Sequence, residues 1–163
     1  MAGAATRNTV DCERKADSDG TCKGTSGDDK LLDEARAFTE ILGGSGRDLY
    51  VEYSGSRDRS DILEDTGSSS DTYRIMNAGF VRADYDDSDE DELQITDEGG
   101  QADVLDLTRT GYDYDDCDYY RNDADDLLLD CPDNDDIIVR DYFSSNSIEY
   151  FKFDDTTKNE PFK

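Results

Sequence analysis

The chain has 163 residues, enough for one domain or for one domain with a short appendage. It carries 43 acidic and 17 basic residues, a formal net charge of -26, with no histidine and no tryptophan. This charge disfavours nucleic acid as a direct partner because phosphates are repelled, and no apolar run is long enough to predict a membrane span.

The acidic residues are mostly aspartate, 33 against 10 glutamates. Aspartate is a poor helix former, favours turns and supplies a hard oxygen ligand. Self-repulsion opposes compaction at this charge, and only 34% of the residues are hydrophobic. Folding therefore requires a neutralising partner, for which multivalent cations and very high salt are the two candidates.

Residues 1–23 are polar, show no clear period and are predicted to be a lead-in or the end of a preceding domain. Met1–Val10 lacks the apolar core of a secretory signal, so export would use another route or the chain is a fragment. The even cysteine count, with Cys12 and Cys22 close together here, predicts two disulfides. Free thiols in a cytosolic protein are the alternative.

Residues 24–73 contain short apolar pairs separated by turn residues, which recur at intervals of roughly ten residues. This spacing predicts repeated short strands. Residues 28–42 could instead form an amphipathic helix capped by Asp28 or Asp29. The apolar face of that helix would contain Leu31, Leu32, Ala35, Phe38 and Leu42.

The segment Gly43–Val51 matches the nonapeptide G-G-x-G-x-D-x-U-x, in which U is a large apolar residue. Gly43, Gly44 and Gly46 allow a tight turn whose carbonyl groups can point at one ion. Asp48 supplies a carboxylate to the same ion, since calcium takes about six to eight oxygen ligands. The large apolar residue then follows on a short strand that faces the core.

A second match lies upstream over residues 24–31, with Gly24 and Gly27 in glycine positions and Asp29 in the aspartate position. Asp29 and Asp48 are nineteen residues apart. Two consecutive nonapeptides span about eighteen residues, so this pair is near the register of successive turns. Residues 39–41 would form the repeat between them, with threonine in place of aspartate.

The pattern weakens downstream, where Asp61 and Asp71 keep the Asp-x-U core but other residues occupy most glycine positions. Together these repeats resemble the RTX, or haemolysin-type, calcium-binding nonapeptide array. The resemblance implies a short parallel β-roll over residues 24–73, with calcium bound between turns. We expect one or two good sites because the later repeats depart from the motif.

Residues 74–155 are predicted to form an antiparallel sheet that caps the β-roll, followed by a tail over residues 156–163. The connections are rich in Asp, Asn, Gly and Ser. The predicted strands are Tyr73–Met76, Leu93–Thr96, Val104–Leu107, Cys117–Arg121, Leu127–Asp130, Ile137–Phe143 and Ile148–Phe153.

One predicted hairpin also predicts a disulfide. A turn centred on Ala124 places Tyr119 opposite Leu129, and the same register sets Cys117 opposite Cys131. Directly opposed cysteines of this kind are close enough to bridge. Hairpin register and disulfide geometry therefore agree.

The order of segments over residues 71–155 resembles the region that follows RTX repeats: an Asp-Thr-Tyr strand, an Asp- and Gly-rich stretch, a hairpin and two apolar strands. With the repeats, the resemblance covers residues 24–155. The four cysteines depart from the family, since members exported through a type I channel usually lack them.

The resemblance implies an all-β, calcium-binding domain of an extracellular or cell-surface protein, attached to an adjacent domain. Carboxylate repulsion would keep the chain unfolded in low cytosolic calcium, and calcium outside the cell would drive folding by mass action. The implied calcium-site residues are Gly24, Gly27, Asp29, Gly43, Gly44, Gly46, Asp48, Asp61 and Asp71.

Other functions find less support in the sequence. An enzyme is not expected, because the chain has no histidine, no G-x-S-x-G motif and no phosphate loop. An acidic structural protein of a salt-loving organism, such as a virion component, fits the composition equally well. A winged-helix regulator is suggested by residues 77–82 and 94–99, but Gly67 and Gly79 are only twelve positions apart, which is too close for its recognition helix.

Overall fold

The computed structural model describes residues 7–12, 20–33, 40–54, 61–77, 92–100, 102–131, 136–144, 148–159 and 162. These segments form β-strands and one short 3-10 helix at Tyr114–Asp116. The strands are β1 (Asn8–Asp11), β2 (Thr21–Lys23), β3 (Asp29–Asp33), β4 (Glu40–Leu42), β5 (Leu49–Ser54), β6 (Asp61–Asp65), β7 (Thr72–Asn77), β8 (Glu92–Asp97), β9 (Val104–Arg109), β10 (Asp118–Arg121), β11 (Leu127–Asp130), β12 (Asp136–Val139), β13 (Tyr150–Lys152) and β14 (Thr157–Asn159).

Successive strands from β1 to β9 alternate between two seven-stranded sheets. The first sheet has the order β1-β3-β5-β7-β9-β13-β14, and the second has the order β10-β11-β12-β8-β6-β4-β2. Neighbouring strands are parallel except in the pairs β10–β11, β11–β12 and β13–β14. The chain therefore belongs to the predicted all-β class and contains two mixed, mostly parallel sheets.

In several strands alternate side chains are buried, which is the period of a pleated strand. In β3, residues 29, 31 and 33 are buried while residues 30 and 32 are half-buried. Parallel pairing aligns equivalent buried residues of successive strands into rows. One row of the first sheet is Leu31, Tyr50, Tyr73, Leu105 and Phe151, and one row of the second sheet is Ile41, Leu63, Ile95 and Val139.

Two buried disulfides cross-link the fold, as the cysteine count predicts. Cys12 at the end of β1 is bonded to Cys22 in β2, which joins the outermost strands of the two sheets. Cys117 is bonded to Cys131 across the hairpin of β10 and β11, in which Tyr119 pairs with Leu129. The hairpin register and its disulfide are therefore confirmed.

The helix considered for residues 28–42 is wrong in the part of the segment that the structure describes. Residues 29–33 and 40–42 are strands, and residues 34–39 lie outside the described residues. Asp29 and Asp33 are buried on the same side as Leu31. This period of two fits a strand, whereas the helical prediction rested on the spacing of the apolar residues and on Asp28 or Asp29 as an N-cap.

The simple antiparallel cap predicted for residues 74–155 is also wrong. Each predicted strand overlaps an observed one, although the strand predicted at Ile137–Phe143 ends at Val139 and continues as a turn. However, β8 is parallel to β6 and β12, and β9 is parallel to β7 and β13. Strands that follow one another in the chain mostly lie in different sheets, so they cannot pair. In addition, β1 and β2 of the polar lead-in pair in parallel with β3 and β4.

No helix within the described residues has the length and apolar character needed to cross a membrane. Residues 78–91, which contain most of the first winged-helix segment, lie outside the described residues. The second segment, residues 94–99, contains part of β8.

Candidate metal centre

Four loops stack at one side of the molecule, where the chain passes from the second sheet to the first. The first loop connects β2 to β3 (24–28). The three later loops connect β4 to β5 (43–48), β6 to β7 (66–71) and β8 to β9 (98–103, described except for residue 101). The stacking follows from the parallel pairing of the flanking strands. Backbone hydrogen bonds continue into the loops, from the N–H of Gly43 to the carbonyl of Glu64 and from Glu98 to Asp65.

Each of the loops 43–48, 66–71 and 98–103 ends in an aspartate whose carboxylate accepts a hydrogen bond from the end of the preceding loop. Oδ1 of Asp48 accepts a 2.9 Å hydrogen bond from the backbone N–H of Asp29. Oδ1 of Asp71 accepts one of 2.6 Å from Asp48, and Oδ1 of Asp103 accepts one of 2.6 Å from Asp71. The N–H of Asp103 in turn donates to Glu149 over 2.8 Å. These contacts form a ladder of buried carboxylates along the edge of the first sheet.

The second carboxylate oxygen has a different environment in Asp48, Asp71 and Asp103 than in Asp29. Oδ2 of Asp48, Asp71 and Asp103 is buried and has no hydrogen-bond partner within the described residues. In contrast, Oδ2 of Asp29 accepts hydrogen bonds from the backbone N–H and the hydroxyl of Thr25, over 2.5 and 2.8 Å. Burying a carboxylate oxygen without a hydrogen-bond donor costs free energy of folding. A positive group beside these three oxygens would offset that cost.

Two further aspartates complete two acidic clusters. Asp65 and Asp97 are the last residues of β6 and β8 and pair with each other in the sheet. Cluster I consists of Asp48, Asp65 and Asp71, and cluster II of Asp71, Asp97 and Asp103. Within each cluster, one carboxylate oxygen of every member lies within 4.8 Å of the others. Asp71 belongs to both.

Asp65 and Asp97 are held in equivalent ways. The N–H of Gly67 donates to Asp65 Oδ2 over 2.6 Å, and the N–H of Gly99 donates to Asp97 Oδ1 over 3.0 Å. The other oxygen of Asp65 lies 3.3 Å from the phenol oxygen of Tyr50, and the other oxygen of Asp97 lies 3.0 Å from that of Tyr73. Both tyrosines are buried. Because each carboxylate oxygen has two lone pairs, these bonds leave room for a further contact.

The electrostatics of the clusters favour a cation. Burial raises the pKa of Asp71 to about 8 and that of Asp97 to about 7, with repulsion from neighbouring carboxylates adding to the effect. Burial also raises the pKa of Asp48 and Asp103 to about 6, and it raises the pKa of Asp65. Keeping all five groups ionised at neutral pH therefore requires a compensating positive charge.

Two other buried aspartates are each paired with an arginine, which supplies the compensating positive charge. Arg74 lies 2.8 Å from Asp106, and Arg140 lies 2.8 Å from Asp126. Burial acts to raise the pKa of both carboxyls, but hydrogen bonds, including those from the arginines, bring it below the ordinary value. No lysine or arginine in the described segments forms an ion pair with a member of cluster I or II.

The ligand chemistry fits a hard divalent cation such as calcium. Carboxylate oxygens are supplied by all three members of each cluster, and no nitrogen or sulfur ligand is among them. Backbone carbonyls are also close: the Gly44 oxygen lies 3.0 Å from the point that a Cβ of Gly67 would occupy. A site of carboxylates and loop carbonyls is typical of calcium.

The sequence-predicted residues divide into three groups. Asp48 and Asp71 are brought together in cluster I. Asp29 lies on the ladder but outside both clusters, and Asp61 begins β6 at the opposite end of that strand from Asp65. The predicted glycines lie in the loops 24–28 and 43–48, which stack on each other; they are Gly24, Gly27, Gly43, Gly44 and Gly46.

Sequence reasoning missed Asp65, Asp97 and Asp103. A signal for them exists, because residues 65–71 and 97–103 share the pattern D-x-G-x-x-x-D. Counted back from Asp71 and Asp103, the nonapeptide template begins one residue after Asp65 and Asp97, so a search with that template passes over both. Comparison of the two loops with each other would have found all three residues.

Comparisons with family models, with curated proteins and with solved structures returned no match.

Proposed function

We propose that this chain is a calcium-binding β-roll domain of a secreted protein, which folds when calcium binds outside the cell. The observation that carries the proposal is the set of three buried carboxylate oxygens of Asp48, Asp71 and Asp103 in clusters I and II, which have no hydrogen-bond partner among the described residues. The resemblance of the repeats to RTX arrays supports the same conclusion, and so does the alternation of strands between two mostly parallel sheets.

The residues of the chain would act by holding oxygens in place. Asp48 and Asp71 use Oδ1 to tie successive loops together and keep Oδ2 for the ion. Asp65 and Asp97 are oriented by loop N–H groups. Bound calcium would supply the positive charge that offsets repulsion among these carboxylates, so its binding free energy would contribute to folding.

An extracellular location is part of the proposal. Two disulfides are typical of proteins that mature in an oxidising environment. Extracellular calcium modules bind with dissociation constants on the order of 0.1–1 mM, so external calcium would fill such sites and cytosolic calcium would not. An adjacent domain of a larger secreted protein is the proposed partner.

A metal titration tests the proposal. Purified protein is stripped with EGTA and titrated with Ca²⁺ while far-UV circular dichroism reports β-structure and calorimetry reports stoichiometry. We expect a cooperative gain of β-structure in the millimolar range or below, with ions bound at both clusters. An equally compact fold in excess EGTA would overturn the proposal.

Parallel titrations distinguish the charge-screening alternative. KCl at molar concentration should not replace Ca²⁺ if specific sites are required, because screening acts on all exposed charges alike. Complete folding in KCl without calcium would instead identify an acidic protein adapted to high salt. Mg²⁺ at equal concentration is a further control, since it retains its water ligands more strongly than calcium does.

A further inference from the structure

We propose that the hydroxyl groups of Tyr50 and Tyr73 are positioning groups for the cation, each holding one cluster aspartate in its ligand orientation. The inference rests on the proposed calcium sites. Tyr50 would serve Asp65 in cluster I, and Tyr73 would serve Asp97 in cluster II.

The two tyrosines form a pair in the core between the sheets. They are adjacent in the register of β5 and β7, their rings stack at 4.8 Å between centroids, and both side chains are fully buried. Each hydroxyl reaches from the first sheet to the final residue of a strand in the second. The single hydroxyl proton of Tyr50 is shared between Asp65 Oδ1 at 3.3 Å and the carbonyl of Glu64, the residue before Asp65, at 2.9 Å.

A phenol hydroxyl beside an ionised carboxylate acts as the hydrogen-bond donor, because the carboxylate can only accept. A hydrogen bond donated to a carboxylate favours its charged form, which is the form that binds a cation. With Gly67 or Gly99 fixing the other oxygen, the carboxylate cannot rotate freely.

The distribution of hydroxyls along the row supports this role. Tyr50 and Tyr73 occupy the same buried row as Leu31, which precedes them in the register. In the strand before β6 in the second sheet, the position that aligns with Asp65 is Gly43, directly after β4, which carries no carboxylate. Tyr50 and Tyr73 instead contact Asp65 and Asp97. Phenylalanine would fill the same volume in the core. The hydroxyl groups are therefore explained by the neighbouring carboxylates and not by packing.

Conservative variants test the proposal. Tyr50→Phe and Tyr73→Phe retain the ring and remove one donor each. We expect calcium calorimetry to show the affinity of one ion reduced about tenfold in each variant, since hydrogen bonds to charged groups are the strong ones. Tyr142→Phe is the matched control, because Tyr142 is equally buried but belongs to neither cluster, and its calcium affinities should equal those of the wild type.

Background variants separate positioning from a general loss of stability. In an Asp97→Asn background, Tyr50→Phe should still weaken the ion of cluster I about tenfold. In an Asp65→Asn background, Tyr50→Phe should have no further effect on calcium affinity. Equal losses in both backgrounds would show that the hydroxyl supports only the core and would overturn the inference.

The outcomes also separate this inference from the proposed function. If the wild-type chain binds no calcium, the proposed function fails and the inference fails with it. If the wild type binds calcium and both phenylalanine variants bind it with unchanged affinities, the proposed function stands and the positioning role is overturned.

Discussion

The backbone N–H of Asp48 donates a 2.6 Å hydrogen bond to Oδ1 of Asp71, a residue 23 positions further along the chain. Asp71 also belongs to both acidic clusters, and its Oδ2 is buried without a partner in the described residues. One side chain therefore links two loops and contributes to two candidate sites. A cation on either side would reduce the repulsion that Asp71 experiences.

Asp71→Asn should weaken both calcium ions, because the amide keeps the shape of the side chain but removes the shared charge. We expect at least about a tenfold loss of affinity at each site by calorimetry. Asp48→Asn should weaken only the ion of cluster I. Asp123→Asn, at an exposed position of the β10–β11 turn, is the control. Two ions bound to Asp71→Asn with wild-type affinity would contradict the assignment of the clusters.

The metal-free protein should lose stability as the pH rises from about 4 to about 8. Burial raises the pKa of Asp48 and Asp103 to about 6 and that of Asp71 to about 8, above the ordinary value of 3.8. In this range the folded state binds more protons than the unfolded state, so the free energy of unfolding falls with rising pH. Because the calcium-free chain is expected to be unfolded at neutral pH, far-UV circular dichroism in EGTA measures the effect as a folded fraction that decreases from about pH 4 to about pH 8.

Saturating calcium should remove or reverse this pH dependence, because the ion competes with protons for the same oxygens. Asp71→Asn should show a shallower slope than the wild type in EGTA, since one of the raised groups no longer titrates. A metal-free stability that stays constant or increases over this range would mean that these carboxylates are not buried together.

Much of the fold could be predicted from the sequence because strand formation is a local property. The period-two pattern and the turn residues place β11 at Leu127–Asp130, and the register of Tyr119 with Leu129 follows from turn length. Which distant strands pair with each other is not determined by the local sequence. Parallel pairing of β7 with β9 spans more than thirty residues and depends on matching rows such as Tyr73 and Leu105.

The candidate site was only partly predictable for a related reason. Asp48 and Asp71 could be found because they stand before a large apolar residue in a repeat. Asp65 and Asp97 lie at the other end of the same loops, one residue before the nonapeptide would begin, and they complete the two acidic clusters. Asp61 fits the template in sequence, but the register of β6 puts it opposite Leu93 and puts Asp65 opposite Asp97.

Gly46→Ala should destabilise the calcium-loaded protein more than Gly111→Ala does. Both glycines have positive φ, +118° and +82°, so an alanine strains the backbone at either by about 1 kcal/mol. A Cβ on Gly46 would also lie 2.5 Å from the carbonyl carbon of Gly27 in the stacked loop, whereas one on Gly111 would meet nothing within 4 Å. Urea unfolding of both variants measures the difference.

Gly27→Ala provides the control for this comparison, because its Cβ would meet nothing within 4 Å and its φ is not in the left-handed region. We expect its free energy of unfolding to stay within about 0.5 kcal/mol of the wild type. If Gly46→Ala is no less stable than Gly111→Ala, the close approach of the two loops is incorrect.

Replacement of the Cys117–Cys131 disulfide by two serines should lower stability without changing calcium binding. The bond closes a loop with a sequence separation of 14 residues, for which chain entropy predicts a loss of about 3 kcal/mol. The hairpin it closes lies at one edge of the second sheet, separated from β6 and β8 by β12. Urea unfolding in saturating calcium measures the first effect, and calorimetry measures the second. Cys12→Ser with Cys22→Ser is the matched comparison. A folded Cys117→Ser, Cys131→Ser variant that no longer binds calcium would show that the hairpin is coupled to the clusters.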